Sequence, residues 1–334
     1  MTLDGFILHM IVFYSLYSSV KEMEIILTDE EVGSLLALAS TVFASPTTDP
    51  DKFCEQAKKA ATLVPSHILS VLQQFAESDS GFLLIKQIPI SGIPDTPPNN
   101  THYVGETIYV ARIQAILVSV ISDLIAYQAE CKGHLFQDIV PTKTMAAKQT
   151  SQGSVELEIH TEQAFSKLRP DFLSLSCLRG DTEALTYILP FQKIIKNLTE
   201  DEQGLARQSL WTSNVDLSFK LEGLSFAEGD VRGPMAILQG ADLVFDQDLM
   251  SGTSAASEAL IQTIVDIYYR ERLAHCLRPG QILILDNRKV VHGRSTYHPK
   301  YDGQDRFLVR CFGTRDLTRF EGTLDGRMVK VMYS

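Results

Sequence analysis

His160 and Glu162 stand two residues apart in the run Val155-Glu156-Leu157-Glu158-Ile159-His160-Thr161-Glu162. That run alternates apolar and polar residues, the pattern of a half-buried strand. Side chains at i and i+2 of a strand share a face, so His160 and Glu162 converge while Thr161 points away. By itself H-x-E is most often a surface coincidence. A third ligand must come from a distant strand, and His292 offers one in Asp286-Asn287-Arg288-Lys289-Val290-Val291-His292-Gly293-Arg294. Two imidazoles and one carboxylate on a β-scaffold form the facial triad of non-haem Fe(II) oxygenases, which leaves adjacent positions open for cosubstrate and O2. Arg306 follows His292 by fourteen residues, on the strand-like run Asp305 to Arg310. A guanidinium there can grip the far carboxylate of 2-oxoglutarate bidentately, which a lysine does less well. The alternative of a zinc protein with the same His/Glu/His ligands has no use for Arg306.

The elements that must position these residues fall into two textures. Thr28-Asp29-Glu30-Glu31 has the form of a capping box and opens a helix over Val32 to Phe43. A second helical pattern runs from Asp51 to Glu77 and breaks at Pro65. Gly81 to Ile85 reads as a buried strand, Ile90 to Thr101 as a Pro/Asn-rich loop, and Ala111 to Gln128 as a long buried helix. From Leu135 onward short β-rich runs take over: Leu135 to Val140, Val155 to His160, Phe172 to Leu178, Ala184 to Leu189, Gln281 to Asp286 and Arg306 to Phe312. One helix intrudes, Ser254 to Cys276, with Arg278-Pro279-Gly280 as its stop. Helices feeding a set of short strands point to an α+β chain with a jelly-roll core flanked by helices. The expected layout is a single oxygenase domain over residues 23–334. It has a helical part to about residue 130, a core over about 131–320, and an inserted lid and helix over about 240–276.

The 334 residues carry a formal net charge of -11 and no Lys/Arg-rich stripe. Nucleic acid and anionic membrane surfaces are therefore disfavoured as partners, and a small, possibly cationic, molecule fits better. Five cysteines without a CxxC pair read as reduced thiols of a cytoplasmic protein. The apolar stretch Gly5 to Val20 is short for a membrane span, which needs about 20 apolar residues. Its only early charge is Asp4, whereas a secretory signal needs a basic start. Residues 1–22 are read as a leader outside the fold, with Met23 as an alternative start. Oligomeric state has no signature here.

The stretch Leu157 to Arg179 (L-E-I-H-T-E-Q-A-F-S-K-L-R-P-D-F-L-S-L-S-C-L-R) resembles the metal-binding strand of clavaminate synthase-like oxygenases. This group includes hydroxylases of arginine, asparagine and lysine. D-N-R-x-x-x-H-G-R and Y-D-G-Q-D-R-F-L-x-R, within Asp286 to Arg310, resemble the same group's distal-histidine and 2-oxoglutarate region. Gly133 to Pro141 resembles its substrate-pocket strand more loosely, and the likeness spans most of residues 105–315. The resemblance implies a double-stranded β-helix core, with Fe(II), 2-oxoglutarate and O2 used to hydroxylate an unactivated C–H bond. Halogenating relatives lack the carboxylate ligand, so Glu162 favours hydroxylation. The resemblance further implies that Arg310 holds the α-carboxylate of a free amino acid, which disfavours a peptide- or carrier-bound substrate. It places Gln137 and the second oxygen of Glu162 at the α-ammonium, and Thr186 at 2-oxoglutarate. Asp246 and Asp248 match the D-x-D by which relatives embrace a guanidinium from a lid, implying a basic substrate, L-arginine or L-lysine, with citrulline as an alternative. Read from the residues alone, Thr186 is equally a plain strand threonine, Gln137 a loop amide, and Asp246 to Asp248 a solvated acidic loop.

Overall fold

A computed structural model describes residues 24–216 and 231–330. The leader expected at residues 1–22 lies outside the described residues. The described chain begins with β1 (Glu24–Ile26) and three helices, α1 (Asp29–Thr41), α2 (Pro50–Ala61) and α3 (Ser66–Glu77). Thr28 caps α1 through the expected box: its side chain accepts from Glu31 N–H at 3.2 Å, and Glu31 Oε2 accepts from Thr28 N–H at 2.8 Å. Pro65 separates α2 from α3, because it cannot extend a helical ladder.

After β2 (Phe82–Lys86) comes α4 (Tyr109–Ile121), which is shorter than the apolar periodicity suggests. The expected helix to Gln128 stops because Ser122 turns extended and its hydroxyl donates back to Val118 O at 2.9 Å. The remaining apolar residues instead form β3 (Asp123–Tyr127), then β4 (Phe136–Ile139), β5 (Leu157–His160), β6 (Phe172–Arg179) and β7 (Leu185–Pro190). Two short helices not anticipated from the sequence follow, α5 (Phe191–Asn197) and α6 (Glu200–Ala206). Short strands β8 (Trp211–Asn214), β9 (Val231–Met235), β10 (Leu238–Gln239), β11 (Asp242–Leu243) and β12 (Met250–Gly252) lead into α7 (Ala255–Glu271). The helix expected to reach Cys276 ends at Glu271. The next residues form β13 (Leu273–Cys276), drawn into a ladder with β7. The chain closes with β14 (Gln281–Asp286), β15 (Val290–Arg294), β16 (Phe307–Thr314), β17 (Leu324–Asp325) and β18 (Met328–Val329).

Two sheets position the site. A nine-stranded sheet runs β1-β2-β14-β6-β16-β3-β18-β17, with β4 also paired to β16. A four-stranded antiparallel sheet runs β13-β7-β15-β5. Strand alternation sorts their side chains into three layers. Ile282, Ile284, Phe307, Val309 and Cys311 pack with α1 to α4 on the outer face of the large sheet. Their neighbours Leu283, Leu285, Leu308 and Phe312 form an inner core with Ile188 and Val290 of the small sheet. Ile159, Leu189 and Val291 look the other way, onto α7 residues Leu260, Ile264 and Tyr268. The inner face of the small sheet is therefore set by parity: with Ile159 and Val291 outward, His160 and His292 turn inward. No helix among the described residues is long and apolar enough to cross a membrane.

Candidate active site

His160 and His292 are direct partners in the β5–β15 ladder, with ring centroids 4.4 Å apart and planes tilted by 49°. His160 Nδ1 lies 2.8 Å from the carbonyl oxygen of Glu158. A carbonyl only accepts, so Nδ1 carries the proton and Nε2 is left for a metal. His292 is buried, and burial together with His160 and Arg310 holds its pKa well below the usual imidazole range. It is the neutral ligand a metal requires. Glu162 Oε2 lies 3.8 Å from His292 Nε2. Among the described residues one group could hold a metal ion, His160, Glu162 and His292, with donor atoms all within 4.8 Å of one another. Bonds of about 2 Å to a single ion need only small side-chain adjustments from there. Two imidazoles and a carboxylate suit Fe(II) with open positions.

Gly293, in the H-G-R sequence, lets β15 approach β5. A Cβ at this position would lie 2.6 Å from Leu157 O and 2.9 Å from the Tyr268 hydroxyl. Gly293→Ala is expected to destabilise the fold by about 1–3 kcal/mol, read as a lower melting temperature and weaker metal binding.

Thr161 turns out of the cavity, with its N–H donating to Phe245 O at 2.7 Å. Gln247 N–H donates to Ile159 O at 3.0 Å, and Asp246 pairs antiparallel with His160. The acidic stretch is thus stitched along β5. Asp246 Oδ1 accepts from Asp248 N–H at 3.0 Å and Leu249 N–H at 2.8 Å, a local turn that uses one of its oxygens. Burial pushes the Asp246 carboxyl up to about 7, although His160 opposes the rise. Asp248 and Glu158 are raised too, by burial and by acidic neighbours. All three line the same cavity as the triad.

Arg306 and Arg310 open onto that cavity from the large sheet, with Leu308 between them. Their situations differ. Arg310 donates to Gln137 Oε1 through Nε at 2.9 Å, to Glu162 Oε1 through Nη1 at 2.9 Å, and to Glu130. Burial works against its charge, but Glu130 and Glu162 hold its pKa above the usual value. Arg306 is 5% exposed and, among the described residues, makes no hydrogen bond or ion pair. Burial lowers its pKa. Thr186 Oγ1 is likewise buried without a partner and lines the same cavity. An unpartnered guanidinium and hydroxyl in one buried place fit an anion such as the far carboxylate of 2-oxoglutarate.

The ladder separates these groups in space. Thr186 pairs with Arg294, two residues along β15 from His292. Asp246 pairs with His160, on the edge of β5 away from β15. Thr186 and Asp246 therefore flank the triad on different sides. Sequence reasoning missed Glu130, Glu158 and Asp216, all of which line the cavity. Glu158 had a signal, since it shares the parity of His160. Glu130 had none, as it follows β3 in an irregular turn. The histidines left unassigned have ordinary partners: His134 with Glu106, His275 with Gln281 and His298 with Glu183.

Residues 226–312 match the family described as taurine catabolism dioxygenase TauD, TfdA family. The L-lysine 3-hydroxylase of Catenulispora acidiphila is 47% identical over 320 residues, covering 93% of this chain and 89% of that protein. The chain belongs to the clavaminate synthase-like oxygenases of the TauD/TfdA family. Like other members of this family it is an Fe(II)/2-oxoglutarate-dependent dioxygenase. The L-asparagine oxygenase of Streptomyces coelicolor is 30% identical over 87% of this chain and 89% of its own length. A solved asparagine oxygenase, in complex with Fe(II), 2S,3S-3-hydroxyasparagine and succinate, superposes with a TM-score of 0.86 at 26% identity, covering 92% of this chain and 99% of that one. Its mixed α/β fold is the fold of this chain. The likeness also takes in the N-terminal helices, beyond the span that the sequence motifs reached.

Proposed function

We propose that this oxygenase hydroxylates a free basic L-amino acid, L-lysine before L-arginine, with Fe(II) held by His160, Glu162 and His292. The observation that carries the substrate reading is the acidic side of the cavity, where Glu158, Asp246 and Asp248 gather beside the triad. The L-lysine 3-hydroxylase relative supports lysine, since carboxylates alone serve either cation. In this reading the two facing sheets are the double-stranded β-helix of a single domain.

Bound at the triad, iron with 2-oxoglutarate and O2 would supply the oxidation: one oxygen atom would enter the substrate C–H bond and the other the new carboxylate of succinate, as 2-oxoglutarate loses CO2. The protein's own groups do the rest. Arg306 and Thr186 hold the far carboxylate of 2-oxoglutarate on the cationic side. Arg310 takes the substrate's α-carboxylate, which replaces part of its contact with Glu130 and Gln137. The freed oxygen of Glu130, with the second oxygen of Glu162, then faces the α-ammonium, while Gln137, which does not line the cavity, steadies Arg310 from behind. Asp248 and Glu158 receive the side-chain cation, while Asp246 shapes the turn that carries Asp248.

A panel of free L-amino acids, assayed for succinate release and for a product one oxygen atom heavier, tests this reading. Lysine, arginine or ornithine should be turned over well above asparagine, leucine and Nα-acetyl-lysine. Asp248→Asn should lower kcat/KM for the basic substrate by roughly 10- to 100-fold, about 1.4–2.8 kcal/mol, with the KM for 2-oxoglutarate changed less than about twofold. Preference for a neutral or Nα-blocked substrate would overturn the assignment.

A further inference from the structure

Glu162 is held differently from the two histidines. His160 and His292 are fixed by the β5–β15 ladder, whereas Glu162 lies beyond the end of β5. The side chain of Asn287 stands where a neighbouring strand would. Its Oδ1 accepts from Glu162 N–H at 2.7 Å, and its Nδ2 donates to Glu162 C=O at 3.0 Å and to Pro170 C=O at 2.9 Å. The oxygen faces a donor and the nitrogen faces two acceptors, so only this orientation of the amide satisfies all three groups. Asn287 is itself fixed. It is 1% exposed, and its own N–H donates to Asp171 O at 2.9 Å. It lies in the turn between β14 and β15, five residues before His292.

We propose that Asn287 is a positioning residue for the metal centre: its carboxamide fixes the backbone of Glu162 and thereby the direction in which the Glu162 carboxylate meets the two imidazoles. The amide supplies what no other side chain offers at this length, one acceptor and two donors in a plane. Aspartate would set a carboxylate against two carbonyls, and leucine would leave three buried backbone groups unpaired. The clamp also ties two distant ligands together, since the turn that holds Glu162 leads directly into the strand of His292. Groups that orient a metal ligand commonly change metal affinity by about 10- to 100-fold when removed.

The inference rests on the metal-ligand reading of His160, Glu162 and His292, and the test separates the two. Ni(II) affinity is measured by titration calorimetry on metal-free wild type, Asn287→Ala, Glu162→Ala and the double variant, with circular dichroism to establish folding. Asn287→Ala should weaken binding about 10- to 100-fold in the wild-type background, but less than about threefold once Glu162 is alanine. A merely structural role would loosen both backgrounds equally. Equal loss in both, or no loss in the wild type, overturns the clamp while leaving the triad. Failure of the wild type to bind Ni(II) overturns the triad and the clamp with it. Where Asn287→Ala does not fold, Asn287→Ser retains one donor and one acceptor. It is read in the same cycle, with the same sign expected.

Discussion

Replacing Glu162 with alanine will lower hydroxylation by at least about a thousandfold, roughly 4 kcal/mol of barrier, in a protein that still folds. The carboxylate has two jobs, and the variant removes both. Oε1 accepts from Arg310 Nη1 at 2.9 Å, while Oε2 stands 3.8 Å from His292 Nε2. Losing the first leaves Arg310 with Glu130 and Gln137, so the buried guanidinium keeps partners and the fold survives at a cost of about 1–3 kcal/mol. Losing the second leaves two imidazoles and no anionic ligand for Fe(II). Glu162→Gln separates the two jobs, because an amide oxygen still accepts from Arg310 but carries no charge. Product by mass spectrometry, Ni(II) affinity and melting temperature should show Glu162→Gln near wild type in stability, yet close to Glu162→Ala in turnover. If Glu162→Gln restored activity, the carboxylate would serve Arg310 rather than a metal.

Much of this geometry is legible in the chain because strand parity is a local property. The alternation around Ile159 and around Val291 decides which way His160 and His292 face before any contact is known. The same parity puts Arg306 and Arg310 on one face, with Leu308 between them. Local signals fail where tertiary pairing decides. Asp123 to Tyr127 and Leu273 to Cys276 both extend a helical pattern without a break, yet β16 and β7 draw them into ladders. Glu130 carries no local mark, and Asn287, although inside the D-N-R-x-x-x-H-G-R motif, carries none that names its partner. Glu130 reaches the site across 180 residues to Arg310, and Asn287 across 125 to Glu162. Asp246 combines the two cases. Its acidic motif is visible, but the turn beside its pairing with His160 engages one Asp246 carboxylate oxygen, a use the motif alone does not show.

Arg306→Met will raise the KM for 2-oxoglutarate by at least about a hundredfold, roughly 2.7 kcal/mol, and will raise the melting temperature of the metal-free protein. The loss of cosubstrate binding and the gain of stability follow from one observation, a guanidinium 5% exposed with no hydrogen bond or ion pair among the described residues. Burial pulls its pKa down, and Arg294, itself lowered to about 10 by burial and by Arg306, stands near. A buried charge that forms no ion pair costs on the order of several kcal/mol of desolvation, so apolar replacement is expected to stabilise the metal-free fold. On the proposed reading a dianionic cosubstrate offsets this cost on binding, with Thr186 Oγ1 as a second unpartnered group lining the same cavity. Arg306→Lys should fall between, since an ammonium keeps the charge but loses the bidentate fork. Adding 2-oxoglutarate with Ni(II) should then raise the melting temperature of wild type more than that of Arg306→Met, so the order of stability reverses on ligand binding. A variant that melts lower than wild type and keeps its KM would make Arg306 a structural cation, and the cosubstrate would have to bind elsewhere.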